Sequence, residues 1–224
     1  KEVFFYDDTF TINRQRVVDI CEEIMRRNLK IYWDVRARVN TVDEELLKLM
    51  KKAGCSRIHY GIESGVDRIL QNLRKGITAD MVKRAFKMTR DVGIETTAYF
   101  MVGCPGETMA DIKQSIRLAK ELKPDYVLFS VLALYPATEV YNMALKNGLV
   151  KKDVWQELAL NPSAEFRPPL WEENFSREEL IKILNQAYRS FYLRPSYVWK
   201  RLFRLRSFSE LGQKFKIGLK IFKA

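Results

Sequence analysis

Carboxylates, glycines and an arginine recur just after short apolar runs, and each cluster has a chemistry open to it. Asp7-Asp8-Thr9 follows Val3-Phe4-Phe5-Tyr6; such a group accepts hydrogen bonds from an ammonium or caps a helix. Arg36 can pair with a ligand carboxylate, or with Asp7 or Asp34 across neighbouring strand ends. Glu63-Ser64-Gly65 leaves the run 57–62, and a carboxylate there needs a partner once water is excluded. Gly103-Cys104-Pro105-Gly106-Glu107-Thr108 joins glycines, which let backbone approach a ligand closely, to an acid able to fix the turn. Leu134-Tyr135-Pro136 ends a further run. Taken singly these are weak signals, since Asp7-Asp8 alone reads more readily as a turn or cap.

The elements that must position these residues are legible as a repeat. Strands are expected over 2–6, 30–35, 57–62, 95–102 and 126–133, each rich in β-branched or aromatic residues and followed by a helical pattern. Val17, Val18, Cys21, Ile24 and Met25 form one apolar stripe, and Leu46, Leu47, Met50 and Ala53 another. Thr41 with Glu44, Thr108 with Asp111 and Ser176 with Glu179 have capping-box spacing. Gly54 and Gly93 stand where helices stop. Strands joined through helices run parallel, which predicts an α/β fold: a partial (β/α) barrel of parallel strands with a C-terminal helical extension. The expected division is 1–148 for the partial barrel, 149–193 for a covering loop and helix, and 194–224 for a basic, aromatic helical tail. In such a sheet ligands sit beyond the carboxyl ends of the strands, where the clusters above fall. His59, Tyr60, Tyr99 and Tyr126, at strand positions, are expected as hydrogen-bonded core or helix-facing packing.

Composition bounds the function. With 47% hydrophobic residues in 224 the chain can bury a core, which excludes a disordered chain. The formal charge is +11. From Arg194 onward nine Lys and Arg face the single acid Glu210, so the basic signal belongs to the tail, with packing, membrane-surface or nucleic-acid contact as its readings. No run approaches the roughly 20 uncharged apolar residues of a membrane span, and the location is expected to be cytoplasmic, with peripheral membrane contact through the tail as a further option. Cys21, Cys55 and Cys104 are too far apart in sequence for a metal motif. The chain enters an apolar run within two residues of Lys1, which reads as internal to a longer protein.

In order and spacing, Phe5-Tyr6-Asp7-Asp8-Thr9-Phe10-Thr11, Gly61-Ile62-Glu63-Ser64-Gly65, the Gly103–Thr108 turn and Tyr135-Pro136-Ala137-Thr138-Glu139-Val140-Tyr141 resemble successive motifs of the radical S-adenosylmethionine (SAM) core. The stretch Ala187–Pro195 is similar to the C-terminal segment of the cobalamin-binding branch that includes anaerobic magnesium-protoporphyrin ester cyclases. The resemblance implies a site for S-adenosylmethionine: Asp7, Asp8 and Thr9 toward its ammonium, Arg36 toward its carboxylate, and Glu63 and Ser64 toward its ribose. It places Gly103, Pro105, Gly106 and Glu107 along the nucleoside, and Leu134 and Tyr135 by the adenine. It further implies a 4Fe-4S cluster whose three-cysteine motif lies upstream of this chain, an electron donor, and a 5′-deoxyadenosyl radical that takes hydrogen from a small-molecule or lipid-like substrate. Cobalamin, bound outside this chain, would suit methylation, cyclisation or rearrangement. On this reading the present residues alone are inactive. The alternatives are a transfer-RNA methylthiotransferase-like enzyme and a non-catalytic barrel module binding RNA or membrane through its tail. The whole reading requires Asp8, Glu63 and Glu107 at one end of the sheet.

Overall fold

The computed structural model describes residues 1–202; the expected tail therefore lies mostly outside the described residues. Strand β1 (Glu2–Phe5) leads through a short 3-10 turn (Phe10–Ile12) to α1 (Arg14–Arg26), and β2 (Tyr32–Ala37) to α2 (Glu44–Lys52). The next strand, β3 (Cys55–Glu63), is followed by α3 (Asp67–Asn72) and α4 (Ala79–Asp91), and β4 (Glu95–Val102) by α5 (Met109–Leu122). After β5 (Tyr126–Val131) come α6 (Glu139–Lys146), α7 (Val154–Leu160), α8 (Arg177–Tyr192) and α9 (Pro195–Leu202). The five strands form one sheet in sequential order, β1-β2-β3-β4-β5, with every neighbouring pair parallel. Sequential order with an intervening helix is the arrangement of a (β/α) barrel left open, as expected.

One sheet face carries the helices. Trp33 and Val35, Ile58 and Tyr60, and Ala98 and Phe100 point into a core shared with the α1, α2 and α4 stripes. Strand alternation puts Tyr32, Asp34, Arg36, Arg57, His59 and Tyr99 on the other face. These are intermediate in burial apart from Tyr32, which is exposed. A parallel sheet covered on both sides reads as unbroken apolar runs; the polar alternation in β2, β3 and β4 explains why no described helix packs on the second face.

Several details differ from the sequence reading, among them β2, which runs two residues later than the expected 30–35 and so contains Arg36. Helix α2 is capped by Asp43, whose carboxylate accepts from the Leu46 amide at 2.9 Å, because the helix begins at Glu44; the Thr41 hydroxyl donates instead to the Arg38 carbonyl at 2.9 Å. The capping boxes at Thr108 and Ser176 are present. The last strand stops at Val131, and Ala133 makes an isolated antiparallel bridge to Leu170. Finally, Tyr99 and Tyr126 lie on the open face; only Tyr60 is core, fully buried with its hydroxyl 2.8 Å from Thr89 Oγ1. Alternation decides this, since Tyr60 is offset by one from His59 on the same strand.

Among the described residues, the outer edge of β5 meets no strand. Tyr188 of α8 donates to the Phe129 carbonyl at 2.8 Å and accepts from the Phe129 amide at 3.1 Å. Tyr192, one turn on, does the same for Val127 at 2.7 and 3.0 Å, and Tyr197 donates to the Asp125 carbonyl at 3.0 Å. Phenol hydroxyls thus satisfy the edge that another strand would otherwise occupy, and Ala187, Phe191 and Tyr197 join the main core.

Candidate functional site

The carboxyl edge of the sheet gathers the predicted residues. Asp8 follows β1, Glu63 ends β3 and Glu107 follows β4, so all three lie at one end of a parallel sheet, as the sequence reading required. Their individual settings differ widely.

At the first two strands, Asp7 is engaged by Arg16 of α1, 2.8 Å away, which ties the β1 exit to the next helix. Asp8 has a fully exposed side chain. Thr9 precedes the 3-10 turn, and its carbonyl accepts from the Ile12 amide at 3.2 Å. Arg36 lies within β2, in register with His59. Its guanidinium rests over the rings of Tyr6 and Phe4, 4.7 and 5.7 Å from their centroids, and only reaches Asp8 at 4.0 Å. Of the partners considered from sequence, Asp7 belongs to Arg16, and Asp34 belongs to Ser56 and Arg57 at 2.6 and 3.3 Å. Two aromatic faces hold the arginine in place without saturating its donors.

Glu63 is held at φ 73° where the β3–β4 register shifts. A non-glycine residue there carries strain on the order of 1 kcal/mol. The turn redirects its carboxylate to Lys75, 2.6 Å away. A Cβ on Gly61 would stand 2.8 Å from Glu63 Oε1 and 3.2 Å from Lys75 Nζ, so the missing side chain is the space this pair occupies. Ser64 is fully buried and directed to α5, 3.2 Å from Ser115 Oγ, where it supports the turn.

The turn after β4 is built around Glu107, which is 1% exposed. Its Oε2 accepts from the Gly103 amide at 2.7 Å and the Cys104 amide at 3.1 Å, while Oε1 is buried with no partner. Burial outweighs the two amides and pushes its pKa up to about 7. Pro105 and Gly106 offer carbonyls to Asn72 and Arg68 at 3.1 and 3.0 Å, and the Gly106 amide donates to Glu173 at 2.8 Å. Gly103 sits at φ 77°, and a Cβ there would come 2.9 Å from Leu180 Cδ2. Gly103→Ala is expected to destabilise the protein by about 1–2 kcal/mol, from left-handed backbone plus a shifted α8 contact; chemical denaturation of the full-length protein measures it, and an unchanged midpoint would show that the turn tolerates a side chain.

At β5, Leu134 is fully buried, its carbonyl accepting from Trp155 Nε1 at 2.8 Å. Tyr135 is exposed and stacks on Trp155 with centroids 5.4 Å apart. The edge therefore brings Asp8, Arg36 and Tyr135 out to solvent or partly so, and turns Asp7, Ser64, Glu107 and Leu134 to structural partners.

Sequence reasoning missed the open face beneath this edge. Arg57 bridges Asp34 at 3.3 Å and Glu95 at 2.8 Å and lies over the Tyr126 ring at 4.6 Å. His59 Nδ1 and Tyr99 Oη are 2.9 Å apart. Lys75, the partner of Glu63, lay in an unassigned loop. The signal available was the every-second-residue polarity of Arg57-x-His59-x-Gly61-x-Glu63.

The residues fit the amino-acid end of S-adenosylmethionine: a preorganised guanidinium and an exposed carboxylate, 4.0 Å apart and not closed on one another, match a zwitterion's two charges. They do not fit an iron–sulfur cluster. All three cysteines are buried and unbonded, with burial pushing the Cys21 thiol up to about 12 and raising Cys55 and Cys104 as well. Among the described residues no group of three or more His, Cys, Asp or Glu is placed to hold a metal. No helix among them is long and apolar enough to cross a membrane.

Comparison with known proteins places the chain in a family. The radical SAM superfamily model matches residues 1–119. The chain is 36% identical over 208 residues to an uncharacterized methyltransferase of Pyrococcus horikoshii, covering 93% of this chain and 44% of that protein. It is 27% identical over 195 residues to the anaerobic magnesium-protoporphyrin IX monomethyl ester cyclase of Rubrivivax gelatinosus, covering 86% and 34%. Among solved structures, a radical S-adenosylmethionine methyltransferase of Kitasatospora setae with cobalamin and a 4Fe-4S cluster bound shares the fold, with a TM-score of 0.61 at 22% identity over 65% of this chain and 28% of that one. The chain thus spans less than half the length of these proteins. With the family model matching more than half its length and five parallel strands in sequential order, the chain belongs to the radical SAM superfamily.

Proposed function

We propose that this chain forms the S-adenosylmethionine-binding part of a radical SAM enzyme that methylates a small organic substrate, with cobalamin carried elsewhere in the protein. The observation that carries the reading is the Arg36–Asp8 pair, held 4.0 Å apart at the carboxyl edge with Arg36 stacked on Tyr6 and Phe4. Arg36 binds the cofactor's carboxylate and Asp8 its ammonium. Glu63, steered by Lys75, takes the ribose side, and Tyr135 on Trp155 offers a flat face beside the adenine. Glu107 acts through the backbone, fixing the Gly103–Cys104 amides so that the turn keeps its shape. When bound, S-adenosylmethionine and a 4Fe-4S cluster reduced by an external donor supply the hydrogen-abstracting chemistry; this chain orients the cofactor and shapes the face on which substrate lies. Methylation is favoured by the Pyrococcus relative and the Kitasatospora fold neighbour. Cyclisation is the second reading, favoured by the Rubrivivax relative.

The test uses the full-length protein, anaerobically reconstituted with iron, sulfide, cobalamin and reductant. With trideuteromethyl S-adenosylmethionine and a small-molecule cell extract, the expected result is 5′-deoxyadenosine together with a metabolite gaining the labelled methyl. Deoxyadenosine with no labelled product would favour cyclisation or rearrangement; neither product would overturn radical chemistry. Arg36→Met is expected to weaken S-adenosylmethionine binding by about 10- to 100-fold, the equivalent of one charge-assisted contact. Equilibrium binding measures it, and an unchanged Kd removes Arg36 from the site.

A further inference from the structure

Beneath the carboxyl edge, three adjacent strands bring a phenol, an imidazole and a carboxylate into line on the open face. Tyr99 Oη of β4 is 2.9 Å from His59 Nδ1 of β3, and His59 Nε2 is 3.7 Å from Asp34 Oδ2 of β2. Nε2 is buried with no hydrogen-bond partner, and the Asp34 carboxylate, 3.7 Å away, is the charged group that stands beside it. The rings of His59 and Tyr99 are near-parallel, and Phe4 of β1 closes the imidazole's other flank edge-on with centroids 5.5 Å apart. Asp34 is fixed by Ser56 and Arg57 and lines a cavity of about 430 Å³ with Glu2, Val3, Phe4 and Tyr32. The phenol and the carboxylate both belong to the open face, and the carboxylate also lines this cavity.

We propose that Tyr99, His59 and Asp34 form a proton relay that serves an O–H or N–H of the substrate next to its reacting carbon. The proposal rests on the reading that the open face carries the substrate. Tyr99 oxygen takes the substrate proton as its own proton passes to His59 Nδ1. His59 Nε2 releases its proton toward Asp34, which returns it to solvent through the cavity. One proton leaves the substrate and one reaches water; no electron moves. A substrate relieved of that proton loses hydrogen from the neighbouring carbon more readily, which suits the hydrogen-abstracting chemistry above the face.

The surroundings suit the task. Burial lowers the His59 pKa, opposed by Asp34, while Arg57 of the same strand and Arg36 of β2 add to the lowering. Tyr99 is raised by burial and drawn back by Arg36 and Arg57. Strand β1 presents the Phe4 ring to the imidazole. Burial thus favours the neutral imidazole, the state that general base chemistry needs.

The closing experiment titrates His59 by NMR in the full-length protein, its signal identified by its loss in His59→Gln. The relay predicts titration below about pH 6.5, a further lowering in Asp34→Asn, and a changed Nδ1/Nε2 tautomer signature in Tyr99→Phe. A His59 that titrates at or above that value, or ignores Asp34→Asn, overturns it. Formation of the labelled product is expected to fall about 100-fold in Tyr99→Phe with the acid limb of its pH profile displaced; a fall with an unmoved profile assigns Tyr99 to packing and also overturns the relay. Absence of 5′-deoxyadenosine from the wild-type protein would defeat the proposed function instead, leaving the titration to judge the relay.

Discussion

Replacing Tyr188 and Tyr192 together by phenylalanine is expected to lower unfolding stability by roughly 4 kcal/mol, about half of it for each single variant. Both rings remain, so the aromatic packing of Tyr188 on Phe129 and Tyr192 is kept. What is lost is one donor and one acceptor at each hydroxyl, leaving the amides and carbonyls of Val127 and Phe129 without those partners. Val127 is fully buried and Phe129 is 3% exposed, so water does not replace the hydroxyls without opening the α8–β5 contact. Each buried backbone group left unpaired costs on the order of 1 kcal/mol or more. Urea unfolding of the full-length protein measures the loss. A double variant within about 1 kcal/mol of wild type would show that the strand edge is satisfied without the phenols. A second consequence is concentration-dependent association in the double variant, because an uncapped edge is a template for another strand.

Glu107→Gln is expected to abolish a pH dependence worth on the order of 3 kcal/mol. In the native protein burial holds Glu107 up to about 7, against an ordinary value near 4.5. The folded state therefore keeps a proton that the unfolded chain releases. The stability this contributes is fully present below about pH 4.5 and is lost as pH rises through about 7. Glutamine retains an acceptor for the Gly103 and Cys104 amides and carries no charge at any pH. Wild type and variant should converge at pH 5, and the variant should pull ahead as pH is taken to 8. Melting curves across that range decide it: parallel pH dependences would mean that Glu107 ionises in the folded protein as readily as in the unfolded chain.

This second effect bears on the site directly. The Gly103–Thr108 turn is the piece of the carboxyl edge whose shape depends on a buried carboxylate, and its two amides are held by Oε2 alone. Ionisation near pH 7 puts a buried charge into this turn, so the stability of the turn varies with pH in the neutral range.

The fold was legible because its signals are local. β-Branched and aromatic runs, apolar stripes three and four residues apart, and stop glycines at Gly54 and Gly93, both found at positive φ, state the β-α repeat without reference to anything distant. Parallel order follows from helices between strands. The carboxyl edge followed in turn, since every residue just after a parallel strand must come out on the same side. That is why Asp8, Glu63 and Glu107 could be placed at one end from spacing alone, and why the family motifs were recognisable there.

Pairing was a different matter. Arg36 was offered Asp7 or Asp34 and stacks on Phe4 and Tyr6 instead, and Glu63 finds Lys75, twelve residues on, in a loop with no periodic signal. Register shifts between Trp33 and Asp34 and between Gly61 and Glu63 move each following side chain relative to its neighbours, and such shifts leave no trace in composition. The sole histidine could be assigned to a strand but not to a face-wide partnership, because that depends on which residues of β2 and β4 lie opposite it. Sequence by itself determined the order of elements, the end of the sheet where chemistry collects and the family; tertiary structure decided which charges are spent on each other, which stay open to a ligand and what stands across the open face. The reason is range: propensity and periodicity act over a few residues, whereas burial, register and charge pairing are set by contacts between segments far apart in the chain.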